Sequence, residues 1–239
     1  MLFRSAISKV PGHENWRFPP PPHLAHTKSY LFDKRDPNTI YVGIEQGALL
    51  LTRDGGKSWR ELDSFWRPTD VWPKDIHRIV RNPRDPENLF MATGNGLFVS
   101  KDGGEAWEEL TTMQFRIGYP DQVMFSPAND GVIFMSGAER DPSTWRKSHE
   151  AHGTVLRSRD GGRTWEDANA GLPNTGRANI EAFNATAWTG GYALFVGNTD
   201  GEVFTSENGG TSWTRIADGL KPVSKGGHFR NLQSLVEVP

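Results

Sequence analysis

Thr52-Arg-Asp-Gly-Gly-Lys-Ser-Trp59 decides the fold, because it recurs. The pattern returns as Ser100-Lys-Asp-Gly-Gly-Glu-Ala-Trp107, Ser158-Arg-Asp-Gly-Gly-Arg-Thr-Trp165 and Ser206-Glu-Asn-Gly-Gly-Thr-Ser-Trp213. Its third residue stands at 54, 102, 160 and 208, with spacings of 48, 58 and 48, and a period of that size marks a repeat architecture. Paired glycines allow the positive φ that a tight reversal needs, while the adjacent carboxylate accepts hydrogen bonds from the backbone of its own loop. Asp54, Asp102 and Asp160 therefore read as turn builders and not as catalysts. Asn208 keeps the hydrogen-bonding shape without the charge, which supports that reading.

Around each turn lie strand-sized runs. In the first unit these are Lys28 to Asp33, Thr39 to Ile44, Ala48 to Thr52 and Trp59 to Leu62, with Asp36-Pro37-Asn38 as a turn. The second unit repeats them at Arg78 to Asn82, Leu89 to Thr93, Gly96 to Ser100 and Trp107 to Leu110. Short apolar runs punctuated by Gly, Asn, Asp and Pro predict antiparallel meanders and exclude a helical repeat. Radial repetition of such four-stranded units is an all-β propeller, with the tryptophan opening each outer strand and packing between blades.

These copies resemble Asp-box, or BNR, repeats, which occur in sialidases, sortilin-type receptors, xyloglucanase-type glycosidases and photosystem assembly factors. The resemblance runs from about Lys28 to Asp218. It implies the propeller and places the Asp boxes at its periphery, away from the ligand face. It does not imply one activity, since these families share blades and little else.

The repeat predicts a single propeller domain over 1–239, with blades at about 27–63, 76–111, 121–169 and 179–218. A fifth blade is expected from both ends, residues 1–18 with 228–239, because Leu2-Phe-Arg-Ser5 is similar to Leu97-Phe-Val-Ser100 and His228 to Val238 is similar to an innermost strand. Such joining would cover the edge strands. The alternative is a fragment of a six- or seven-bladed protein.

Bulk properties remove several partners. A formal charge of -2 and a pI near 6.4 leave no global basic field, so neither nucleic acid nor an anionic membrane is expected. The chain has no cysteine, which excludes disulfides and thiolate metal sites. The first residues form no apolar leader core and no stretch approaches a membrane span, so the expectation is a soluble, cytoplasmic protein.

Long loops fall on the side opposite the Asp boxes: Ser64-Phe-Trp-Arg-Pro-Thr-Asp-Val-Trp-Pro-Lys-Asp75, a segment containing Met113 to Asp121, and Ala138 to Gly153, which accounts for the 58-residue spacing. Aligning the innermost strands pairs Lys28 with His77, Asp121, Glu181 and Arg230, all ionisable. A ring of these at the channel mouth would lose hydration and require pairing or a ligand.

The expected function is binding of a small polar or carbohydrate-like ligand, extended to sialidase-like or other glycoside hydrolysis. Asp121 and Glu181 are the candidate acid and base or nucleophile, with His77 and Tyr119 beside them, since glycoside hydrolysis commonly uses two carboxylates ~5 to 9.5 Å apart. Lys28, Arg78, Arg116, Arg140, Arg146, His149, His228 and Arg230 are candidate ligand-binding residues. Trp145, with Tyr119 and Trp66, offers stacking surface, and Trp66, Trp72, Trp145 and Arg146 are of the types that anchor interfaces. Phe115-Arg116-Ile117-Gly118 is similar to the Phe-Arg-Ile-Pro motif of sialidases, departing at its last residue and following two Asp boxes. No cofactor is expected; a divalent metal on His77, Asp121 and Glu181, with His228, is a variant. The alternative from another class is a non-catalytic scaffold that grips a protein or glycan, as the resemblance to sortilin-like receptors and photosystem assembly factors implies.

Overall fold

Each Asp-Gly-Gly turn closes a hairpin through the same small network. Asp54 Oδ1 accepts from the backbone N–H groups of Lys57 and Ser58, both at 2.9 Å, while Thr52 Oγ1 accepts from Gly56 N at 2.9 Å. Gly55 and Gly56 sit at φ of 71° and 86°, where a side chain would be strained. Asp160 repeats the arrangement with Arg163 N and Thr164 N at 3.0 and 2.9 Å. At the fourth turn Asn208 Oδ1 accepts from Ser212 N at 3.0 Å and its amide donates to Ser212 Oγ at 2.8 Å. All oxygens of these groups face their own loop, as the structural reading expects.

The computed structural model describes residues 6–18, 23–225 and 228–233. Its strands form four antiparallel four-stranded meanders, each in chain order. The first contains β1 (Thr27–Phe32), β2 (Ile40–Ile44), β3 (Ala48–Thr52) and β4 (Arg60–Glu61). The second contains β5 (Ile76–Arg81), β6 (Leu89–Thr93), β7 (Gly96–Ser100) and β8 (Glu108–Thr112). The third is β9 (Tyr119–Phe125), β10 (Ile133–Ala138), β11 (Thr154–Ser158) and β12 (Glu166–Asp167). The fourth is β13 (Ala182–Trp188), β14 (Gly191–Gly197), β15 (Val203–Ser206) and β16 (Thr214–Ala217). These are the blades of an Asp-box β-propeller.

The chain divides into two compact units, residues 1–110 and 111–239. In the first, every residue of β2, β3, β6 and β7 is buried, so the strands are continuous apolar runs and do not alternate. Tyr41, Leu49, Leu51, Ile79, Leu89, Met91 and Phe98 make its main core. In the second, Phe134, Val155, Leu194, Val196 and Phe204 form the core together with Trp213 of the fourth Asp box. The Trp213 indole N–H donates to the Ala168 carbonyl at 2.7 Å, so this tryptophan does tie neighbouring blades.

The expected fifth blade differs from what is found. Residues 6–18 contain no strand, and His228–Asn231 is a 3-10 helix where an innermost strand was expected. Its side chains explain the change: Leu232 packs with Ala138, Trp145 and Ala151, and His228 turns toward a buried carboxylate, which directs the segment inward instead of along a ladder. Leu2 to Ser5 and the last residues, 234–239, lie outside the described residues. The long insertion of the third blade holds a short helix, α1 (Pro142–Ser148), capped by Asp141, whose side chain accepts from Ser143 N.

Candidate functional site

The innermost strands of the third and fourth blades bring three polar side chains to one place. On β9, register slips between Ser136 and Gly137 of the paired strand. There a Cβ on Gly137 would fall on the Tyr119 carbonyl and 2.8 Å from Asp121 N, so backbones meet closely beside Asp121. Asn179 and Glu181 stand two residues apart on the run that enters β13, and period-two alternation points both to the same side. Asn179 Nδ2 donates to Asp121 Oδ2 at 2.8 Å and reaches Glu181 Oε1 at 3.4 Å. Asn179 is itself fixed, its N–H on Thr199 Oγ1 at 2.9 Å and its Oδ1 accepting from Ile180 N at 2.8 Å.

Asp121, Asn179 and Glu181 have no solvent exposure. Two carboxylates in such a place repel and require a cation. The segment following β16 supplies it. Lys225 Nζ lies 2.9 Å from Asp121 Oδ1, and the Lys225 backbone N–H donates to Glu181 Oε2 at 2.6 Å. Ser224 Oγ donates to the same oxygen at 3.1 Å, and His228 Nδ1 stands 3.3 Å from Glu181 Oε1. His228 is boxed edge-on by Tyr119 and Trp145, with ring centroids at 6.3 and 6.2 Å.

The first unit holds a cluster of the same composition. Glu45, Asp75 and His77 are buried, Lys28 pairs with Glu45, and His77 Nε2 lies 3.3 Å from Asp75 Oδ2. His26 reaches the other Glu45 oxygen at 2.7 Å. In each triad, Glu45–Asp75–His77 and Asp121–Glu181–His228, one ligand atom per residue lies within 4.8 Å of the others, a donor set that suits a divalent ion. Chemically, either triad could hold a metal, a lysine ammonium or a backbone N–H.

The second unit also has an open cleft of about 620 Å³. Its floor includes Ile180, Val196 and Phe204, and its walls carry Arg116, Arg140, Asn169 and Asn174. Arg116 pairs with Asp167, and Arg140 lies 3.2 Å from Glu139 while donating to the Met113 carbonyl at 3.2 Å.

A sequence profile described as Sortilin-Vps10 (Sortilin, neurotensin receptor 3) matches residues 47–179, more than half of the chain. The chain belongs to the Sortilin-Vps10 family. The match ends two residues before Glu181, so the segment carrying Lys225 is outside it. No curated protein matches the sequence. Among solved structures, an ancestral GH74 enzyme is 20% identical with a TM-score of 0.62, covering 85% of this chain and 25% of its own. YCF48 from Cyanidioschyzon merolae is 18% identical with a TM-score of 0.54, covering 83% of this chain and 58% of its own. YCF48 bound to D1 peptide is 17% identical with a TM-score of 0.52, covering 83% and 56%. The chain thus spans about a quarter of the GH74 enzyme and just over half of the YCF48 chains, and at these identities the likeness is one of fold.

On this Sortilin-Vps10 propeller the expected site residues fall in both units. Lys28 and His77 fall in the cluster of the first unit, and Arg78 follows His77 on β5 as an exposed residue. Asp121, Glu181, Tyr119 and His228 meet in the second unit, and Arg116 and Arg140 line the cleft. Arg230 is exposed over the Phe229 ring, so the cation expected from it comes from Lys225. Trp145 offers no stacking surface: it is fully buried, its indole N–H on the Arg140 carbonyl at 3.0 Å. Trp66 packs on the first core under Lys74. Arg146 donates to Asn231 at 3.2 Å, and His149 caps α1 in the left-handed region.

Glu45, Asp75, Asn179, Ser224 and Lys225 were not singled out from sequence. Two of them carried a signal. Glu45 is a lone charge within the apolar hairpin Ile40 to Thr52, and Asn179 shares the strand face of Glu181. Lys225, in a polar Ser-Lys-Gly-Gly stretch, carried none.

Proposed function

We propose that this protein is a non-catalytic binding module that takes a polypeptide partner along the second unit, with Arg116 and Arg140 of the cleft as its polar anchors. The observation that carries this reading is the state of the acid pair. A glycoside hydrolase needs its carboxylates within reach of a substrate oxygen and a water. Here both are without solvent exposure, and Asn179, Ser224, Lys225 and His228 occupy their oxygens. The cleft supports the binding part: an apolar floor with guanidinium and amide walls fits a peptide's mixed surface. The peptide-bound YCF48 among the structural neighbours supports the choice of partner class.

The test is a binding and turnover screen of the full chain against peptide and glycoside panels, with and without chelator. Binding without turnover, weakened at least about tenfold by Arg116→Ala with Arg140→Ala, is expected. Hydrolysis of any glycoside that disappears in Glu181→Gln would overturn the proposal in favour of a hydrolase.

A further inference from the structure

The contacts at Asp121 and Glu181 have the form of a receptor holding a peptide. The receptor side is organised by residues of the two blades: Asn179 bridges both carboxylates, Gln122 Nε2 donates to the Glu181 carbonyl at 3.1 Å, and Ser136 Oγ donates to the Ile180 carbonyl at 3.1 Å. The occupant supplies an ammonium, a main-chain N–H and a hydroxyl, all from Ser224 and Lys225. The Lys225 ammonium also donates to the Asp121 main-chain carbonyl at 3.3 Å. Charge, main chain and side chain are thus read together, as in peptide recognition.

The two sides differ in depth. Asp121 and Glu181 side chains are 0% exposed, whereas the Lys225 side chain is 24% exposed. The occupant is the outer layer and makes no strand of a sheet. If it leaves, two buried carboxylates within 4.8 Å of each other lose the ammonium, the N–H and the hydroxyl that answer them. The site therefore favours exchange of one lysine for another over simple opening.

We infer that the Asp121–Glu181 pair is a lysine-reading peptide site, held closed in cis by the chain's own Ser224–Lys225 segment and open to a lysine-containing segment of a partner. This rests on the reading of the protein as a peptide-binding module and assigns it a second, gated contact. Tethering gives the cis segment an effective concentration in the millimolar range, so a partner must exceed that or bind elsewhere as well.

The probe is a labelled peptide with the sequence of residues 222–232, added to the full-length chain. Lys225→Ala is expected to bind it at least about tenfold tighter than the native chain, because the cis competitor is gone. A peptide with alanine in place of its lysine, or Asp121→Asn added to Lys225→Ala, is expected to lose that gain. Hydrogen exchange on the native chain gives a second measurement that needs no folded variant: excess peptide should speed exchange of residues 223–232. Unchanged protection of that segment at about 1 mM peptide, or a folded Lys225→Ala chain that does not bind, overturns the inference. Either result leaves the cleft reading standing, since that is tested at Arg116 and Arg140.

Discussion

The two units solve one electrostatic problem with different parts of the chain. Each buries two carboxylates beside a histidine and answers them with a lysine. In the first unit the lysine is Lys28, which sits within β1 at the register shift between the ladder pairs of Thr27 and Ser29 with β2, and its side chain is 8% exposed. In the second it is Lys225, beyond the last strand and 24% exposed. The same chemistry is part of a blade in one case and a removable cover in the other. A buried ion pair is costly to break wherever it lies, but only a cation outside the sheets can leave without unfolding one.

The largest expected effect breaks the first pair. Lys28→Met leaves Glu45 buried beside Asp75, and a loss of about 3–5 kcal/mol in urea unfolding is expected. Lys225→Met also strips a cation from buried carboxylates, but the segment that carries it lies outside the sheets and can lift to let water in, so a smaller loss of about 1–3 kcal/mol is expected. It should also make residues 223–232 the first site of limited proteolysis. Equal losses for the two variants would mean that the cover is as integral as a strand, and the comparison would fail.

Next come the glycines on the paired strands. Gly137→Ala places its Cβ on backbone atoms of Tyr119 and Asp121 and should lose about 2–3 kcal/mol, whereas Gly43→Ala meets Ile76 Cγ2 at 2.7 Å, an atom that can turn aside, and should lose about 1 kcal/mol. Thermal unfolding of both variants checks the order.

The smallest effect is acidic. The Arg35 side chain lowers the Asp33 pKa from 3.8 to about 2, and the Thr164 hydroxyl, followed by its backbone N–H, lowers that of Asp160 from 3.8 to about 2. A carboxylate with a depressed folded pKa stabilises above its unfolded value, and that contribution is lost as pH falls through the folded one. Stability should therefore fall between about pH 4 and pH 2. Arg35→Leu in the first unit and Asp160→Asn in the second should each reduce that fall, by about 2 °C in Tm. An unchanged pH profile in Asp160→Asn would show that its turn is held by shape alone, as the natural Asn208 turn is.

How much of this was legible follows from where each interaction sits in sequence. The strands around Thr52 and Ser100 were read to within a residue or two at most ends, because a turn network spans only a few positions and repeats. Asp121 and Glu181 were reachable through the register that the turns provide. Lys225 was not: it meets Asp121 across 104 residues of sequence, and the polar stretch around it resembles any solvated loop. The expected strand at His228 failed for a related reason. Its apolar pattern suited an innermost strand, yet a buried carboxylate and the α1 face offered its side chains better partners than a ladder offered its backbone.

The sequence by itself determined the Asp-box blades, since hairpins are set by local φ, by hydrogen bonds over two to four residues and by apolar runs. Tertiary structure alone decided which cation answers each buried acid pair, that Trp145 is core and not surface, and that the carboxylates are covered. Those outcomes depend on desolvation and charge pairing between distant segments, energies that exist only once the blades have placed the groups within a few ångströms of each other.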